Sequence, residues 1–331
     1  MTRTLLLLAA LTATLHTAGP GIVFEGGKGP GKGKHIVLIA GDHEYRSEEA
    51  LPQLARILAT RHGFKCTVLF AVDPKDGTID PGKPNIPGLE ALAKADLLVL
   101  FLRWLDLPDD QMKPLTEYIE SGRPMIGMRT ATHCFKLDSS KTYQRYTWNS
   151  KEWDGGFGRQ VLGETWVAHH GRHSVQSTRG IIAKGQERHP ILRSIKDGEI
   201  WGPTDVYRVT LPLPGDSQPL ILGQVLSGMQ ASDAPVAGPQ NDPMMPVAWV
   251  KTYRGAQGKT ARVFNTTMGA SQDLLNEGLR RMLVNACYWA AGRESKIPAK
   301  SDVRLVGEYR PTPFKMNGFK KGVKPSDLAA H

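Results

Sequence analysis

Four short apolar-rich runs, each closed by a polar loop, constrain this chain more than any other feature. They are His35–Ala40, Phe64–Phe70, Ala95–Leu102 and Met125–Met128. A strand that is apolar on both faces has to be covered on both faces, which suits a parallel sheet flanked by helices. Helical signals lie between the runs. Ser47 offers an N-cap with Glu48 and Glu49 in the first turn, Leu51, Leu54, Ile57 and Leu58 recur at helical spacing, and Gly63 closes the segment. Pro108–Ser121 reads as a second helix, stopped by Gly122. Alternation of this kind predicts an α/β fold whose sheet is mostly parallel, with right-handed crossovers.

The second half changes rhythm. Between Asp138 and Gly163 the pattern breaks, and Tyr143, Tyr146, Trp148, Trp153 and Phe157 crowd together, as in an insertion packed over the carboxyl edge of the sheet. Gly155-Gly156-Phe157-Gly158 follows no clear strand and does not read as a phosphate cradle. Strand-like runs at Ser174–Ala183, Asp205–Leu211, Pro219–Leu226, Pro246–Tyr253 and Arg262–Thr267 are too closely spaced for crossovers, so antiparallel additions are expected. Ser271 is placed to cap a last helix with an apolar stripe from Leu274 to Trp289.

The ends differ from the body. Arg3, then Leu5–Leu8 and small residues near Ala18, predict a secretory signal over residues 1–18 and hence export, with no stable membrane span. Residues 19–34 read as a flexible leader, 35–292 as the folded body, and 293–331 as a basic, solvated tail with little to bury. Of the formal net charge of +10, residues 293–331 carry nine Lys/Arg against four Asp/Glu (+5) and residues 1–34 carry four against one (+3), leaving 10 − 5 − 3 = +2 for the body. A charge confined to the ends, without interleaved aromatic residues, argues against a nucleic-acid partner. The three cysteines, Cys66, Cys134 and Cys287, are too few and too scattered for a disulfide framework. Composition leaves a homo-oligomer open.

Ligands of open parallel sheets bind beyond the carboxyl ends of the strands. Three polar clusters should meet there: Asp42, His43, Glu44 and Arg46 with Glu48; Arg129, Thr130 and His133 with Thr132; and His169, His170 and His173. The stretch Pro124–His133 reads as a strand running into a sharp corner, where many α/β enzymes hold a nucleophile, yet the nearby thiol Cys134 comes a helical turn late. Arg129 at that corner either makes an electropositive spot for an oxyanion or pairs with Asp42, Glu44 or Glu48. His133 is a candidate general acid or base, or a helix-surface histidine. In an extended segment His169 and His173 face one way and His170 the other. Two such imidazoles could serve a divalent metal, or they could be a hydrogen-bonded set lining a polar cleft.

Ile36-Val37-Leu38-Ile39-Ala40-Gly41-Asp42-His43, Pro124 through His133, His189-Pro190-Ile191 with Asp205-Val206-Tyr207, Pro246-Val247-Ala248-Trp249 and Arg262 through Gly269 together resemble the ThuA-like (trehalose utilisation) family over residues 35–292. The resemblance implies a class I glutamine amidotransferase-like, three-layer sandwich of flavodoxin-like topology that lacks the amidotransferase cysteine. Arg129 stands where that cysteine would be, a position held by His in many members, and Met268-Gly269-Ala270 departs from a common Gly-His pair. The family is linked to disaccharide and keto-sugar metabolism.

The combined expectation is an exported sugar-processing protein that works by hydrolysis, elimination or isomerisation, or else a non-catalytic sugar-binding domain. His133, His169 and His173 are the expected proton carriers. Asp42, His43, Glu44, Arg46, Arg129, Thr130 and His170 are the expected substrate contacts. A divalent metal at His169 and His173 is the one cofactor the residues suggest.

Overall fold

The computed structural model describes residues 21–329. The predicted signal segment lies outside them.

The chain opens with β1 (Ile22–Phe24), β2 (His35–Gly41), α1 (Ser47–His62), β3 (Lys65–Phe70), β4 (Leu97–Leu102), α2 (Asp109–Glu120) and β5 (Met125–Met128). Then come β6 (Ala168–His169), β7 (Thr178–Ile182), β8 (Ile200–Gly202), β9 (Tyr207–Arg208), β10 (Gln218–Val225), β11 (Met245–Arg254), β12 (Thr260–Thr266) and α3 (Glu277–Ala290). Ten strands form one mixed sheet in the order β1-β3-β2-β4-β5-β12-β11-β10-β7-β8, and β6 pairs with β9 in a separate ribbon. β3, β2, β4, β5 and β12 run parallel. The other five are joined antiparallel, so the additions equal the parallel part in strand number.

Alternate residues of β2 serve opposite faces. Ile36 and Leu38 pack with α1 and α3, whereas Val37 and Ile39 pack with α2. Every residue of β4 is buried, as the unbroken apolar run requires. Gly127 in β5 permits a close approach: a Cβ there would lie 2.1 Å from Asn265 Oδ1 on β12.

Several local expectations need correcting. Ser47 does not cap α1; Arg46 occupies the cap position in a left-handed conformation, and Ser47 Oγ accepts from the Asp42 amide. α3 starts at Glu277 under an Asn276 cap, because residues 272–275 form a separate short 3-10 turn that leaves Leu275 half exposed. The expected strand at Asp205–Leu211 shrinks to two residues, since β9 pairs only with the two-residue β6.

The ends are more structured than their composition suggests. Part of the leader, Ile22–Phe24, is the edge strand beside β3. The tail buries Ile297, Val303 and Phe319 and is gripped through its backbone carbonyls: Arg61 donates to Arg304 O (2.8 Å) and Leu305 O (3.1 Å), and Arg280 donates to Val303 O (2.7 Å). The tail is thus held both by scattered apolar side chains packed on the core and by guanidinium groups of the body. Among the described residues no helix is long and apolar enough to cross a membrane.

Candidate functional site

The β6–β9 ribbon assembles the site. Its register sets His169 opposite Tyr207, and the His170 and Gly171 amides both donate to Val206 O (2.9 and 3.0 Å), which carries Asp205 alongside. The chain then turns, with the Gln176 amide donating to Arg172 O at 2.9 Å, and brings His173 back to the same carboxylate. His169 Nδ1 lies 2.6 Å from Asp205 Oδ2, and His173 Nδ1 lies 3.2 Å from Asp205 Oδ1. His173 Nε2 reaches Glu44 Oε1 at 3.1 Å, and Glu44 is itself paired with Arg103. His170 points the other way, to Gln240 O at 3.0 Å, and does not reach the site.

Charge follows from this geometry. Burial opposes ionisation of Asp205, but the hydrogen bonds of His169 and His173 and the charge of Arg129 hold its carboxyl far below the usual range. Burial likewise works against Glu44, and His173 and Arg103 outweigh it to lower its pKa. Hydrogen bonds to Asp205 and then to Glu44 lift His173 to about 9. His133 goes the opposite way: burial, with the charges of Arg103 and Arg129, pushes it well below its usual value and keeps the ring neutral.

The Arg129 corner is sharp, as expected, with φ 45°, but its side chain is fully buried. Nη1 donates to Asp205 O (2.9 Å) and Thr267 O (2.6 Å), and Nη2 donates to Asp205 Oδ1 (2.8 Å) and Tyr45 Oη (3.1 Å). The guanidinium is sandwiched between the Tyr45 and Tyr207 rings, 4.3 and 3.8 Å from their centroids. Its carboxylate partner is therefore Asp205, not a carboxylate of the first loop, and only the buried Nε has no partner among the described residues. The corner continues as the short 3-10 turn Arg129–His133, not a long helix.

Three other expected substrate contacts are also occupied. Asp42 accepts from the Glu44 amide (2.8 Å), the Tyr45 amide and Thr130 Oγ1 (2.6 Å), so Asp42 and Thr130 stitch the first loop to the corner. Arg46 faces the tail, donating to Thr312 Oγ1 (3.0 Å), Pro313 O (3.0 Å) and Lys315 O (3.3 Å). His43 remains beside the site, half buried, with Nδ1 lacking a partner among the described residues. The structure thus brings His43, Glu44, His133, His169 and His173 together and withdraws Asp42, Arg46, Arg129, Thr130 and His170.

Residues outside the predicted set complete the cleft. The half-buried rings of Trp104, Trp148 and Trp166 stand 5.9–6.2 Å apart, and Trp166 lies 5.9 Å from His169 and 5.4 Å from His133. The Trp104 backbone is left-handed, φ 46°, which turns its ring into the cleft beside Arg103. From the tail, Phe314 wedges between Tyr45 (5.4 Å) and His173 (5.3 Å), while the Lys315 and Asn317 amides donate to Glu44 O (3.0 Å) and His43 O (2.7 Å). The aromatic crowding of the insertion, which includes Trp148, was the sequence signal for this wall. Nothing near Phe314 signalled its role.

His169, His173 and Asp205 present ligand atoms within 4.8 Å of one another and could hold a divalent cation; a metal would have to displace one of the hydrogen bonds now made to Asp205.

Comparison with known proteins adds the following. A ThuA-like protein from Parabacteroides merdae superimposes with a TM-score of 0.50 at 14% identity, covering 86% of this chain and 99% of that one. A ThuA-like protein from Bacteroides uniformis gives a TM-score of 0.47 at 14% identity, covering 80% and 93%. No curated protein matches the sequence. The family model described as ThuA, trehalose utilisation, matches residues 37–290. That match spans most of the sequence, and the chain belongs to the ThuA family.

Proposed function

We propose that this chain is an exported protein of carbohydrate metabolism that performs acid–base chemistry on a disaccharide or keto-sugar derivative, without a covalent nucleophile. The observation that carries the reading is the His169–Asp205 pair, 2.6 Å apart, beneath the Trp104, Trp148 and Trp166 rings. A carboxylate that accepts from Nδ1–H fixes the tautomer and leaves Nε2 as a base. His169 is also the most open histidine of the cluster, with 37% of its side chain exposed.

Hydrolysis, elimination and isomerisation share one need: a group that takes a proton from water or from a carbon beside a carbonyl, then returns it to an oxygen or carbon. His169 fills that role. Asp205 orients it and stabilises the imidazolium while the proton is held. Arg129 and His173 offset the carboxylate charge, so that Asp205 can stay ionised in its buried position. Indole faces suit the C–H face of a sugar ring, and His43 and Glu44 offer hydroxyl partners. Arg129 at the corner supports chemistry without a thiolate, and the family description supports a carbohydrate ligand. The parallel order β3-β2-β4-β5-β12 supports a flavodoxin-like core. The Arg3 and Leu5–Leu8 pattern supports export, which N-terminal sequencing of the mature protein checks by a start near residue 19.

The test is incubation of the purified protein with disaccharides and their 3-keto forms. Turnover should fall by about 10²–10⁴ in His169→Ala while the fold persists. Binding without turnover, unchanged by that substitution, would sink the catalytic reading and leave a sugar-binding domain.

A further inference from the structure

A cavity of about 480 Å³ opens beside the histidine cluster, lined by Ser174, Trp201, Met229, Gln230, Gln272 and Phe314. Its size lies within the range of about 300–1,000 Å³ usual for small-molecule sites. Two of its walls belong to the cluster as well: Ser174 directly follows His173, and the Phe314 ring lies 5.3 Å from the His173 ring. The cavity and the histidine cluster are therefore neighbours that share Phe314.

The lining shares the aromatic faces of the main cleft but not its charges. Trp201 sits on the edge strand β8, half buried, with Nε1 donating to Ser177 Oγ at 3.2 Å, so the orientation of the indole is set. Gln230 and Gln272 add amides that both donate and accept, and among the described residues neither side chain is engaged by another protein group. A fixed indole and a phenyl ring, joined to free amides and a hydroxyl, match a ring with an apolar C–H face and a hydroxyl edge. Among the described residues no charged side chain lines the cavity, which disfavours an anion or a cation as occupant.

We propose that this cavity is a second saccharide subsite, which holds a sugar unit one ring away from the unit at His169, with Phe314 shared between the two. The proposal rests on the carbohydrate reading of the main cleft and adds that the ligand is at least a disaccharide.

Calorimetric titration with glucose, trehalose and maltotriose tests it on the full chain. Wild-type affinity should rise about 10-fold or more from glucose to the longer sugars. Trp201→Ala and Gln272→Ala should each remove most of that gain and leave glucose affinity unchanged; Gln272 is the safer variant, since its amide makes no internal bond. The gain should survive in His169→Ala. Equal affinity for all three sugars, or a gain that persists in both cavity variants, would overturn the subsite and leave the His169 centre standing. If none of the three sugars binds, the subsite falls, while turnover of the 3-keto forms still decides the His169 reading.

Discussion

Arg129 Nη2 and Asp205 Oδ1 lie 2.8 Å apart, and neither side chain is exposed to solvent. The residue at the strained corner is thus committed to holding in place the carboxylate that orients both histidines. Arg129 supports the site from beneath, with both terminal nitrogens of its guanidinium engaged by the protein.

Breaking that pair should be costly. Arg129→Met would leave Asp205 buried without its guanidinium, and loss of one partner of a buried ion pair destabilises by about 3–5 kcal/mol. Urea denaturation should show a fall of that size. A loss below about 1 kcal/mol would mean that the histidines alone balance the carboxylate.

His173 should make stability depend on pH. Its folded-state pKa of about 9 lies above the ordinary 6.5, so the folded protein binds the proton more tightly than the unfolded chain. The contribution is complete below about 6.5 and is lost as pH rises through about 9. In His173→Gln this part of the stability profile should flatten. Denaturant midpoints at half-unit pH steps give the comparison.

Glu48 should act in a lower window. Burial pushes its carboxyl up to about 8, and neither oxygen has a partner among the described residues. Its raised pKa favours folding only while the proton is bound, so wild-type stability should decline from about pH 4.5 to 8. Glu48→Gln should match wild type near pH 4 and exceed it above pH 8 by an amount on the order of a few kcal/mol. Thermal melts at the two extremes suffice, and equal melting temperatures at pH 8.5 would refute the assignment.

The tail should be latched by Arg46. The Lys315 and Asn317 amides, which donate to Glu44 O and His43 O, should be protected from hydrogen exchange. Removing the guanidinium in Arg46→Ala deletes the bonds to Thr312, Pro313 and Lys315 and should speed exchange at those two amides by about 10-fold or more. Unchanged exchange would show that Phe314 holds the tail by itself.

The strands from β2 to β5 were legible because each is an apolar run that admits few other environments. The corner at Arg129 was legible as a turn but not in its chemistry. An arginine there fits either an oxyanion or a salt bridge, and only its distance to Asp205 decides between them. His169 and His173 were found by their density, and their separation from His170 by strand alternation. Asp205 was missed as a site residue although Asp205-Val206-Tyr207 is one of the segments that carry the family resemblance: it lies thirty-odd positions downstream of the histidines, and no local pattern ties it to them. The tail was misjudged for a different reason. Its apolar residues are scattered and show no period, although Ile297, Val303 and Phe319 are buried, and its guanidinium anchors, Arg46, Arg61 and Arg280, lie in the body.

Local pattern alone, then, determined the elements of the parallel half and the neighbourhood of the site, because burial on two faces and helical periodicity act over a few residues. Only the tertiary structure decided which charges pair, which histidines share a carboxylate and where the tail lies. Those outcomes depend on competition between groups far apart in sequence for a few buried hydrogen-bonding positions, and that competition is resolved only when the chain has folded.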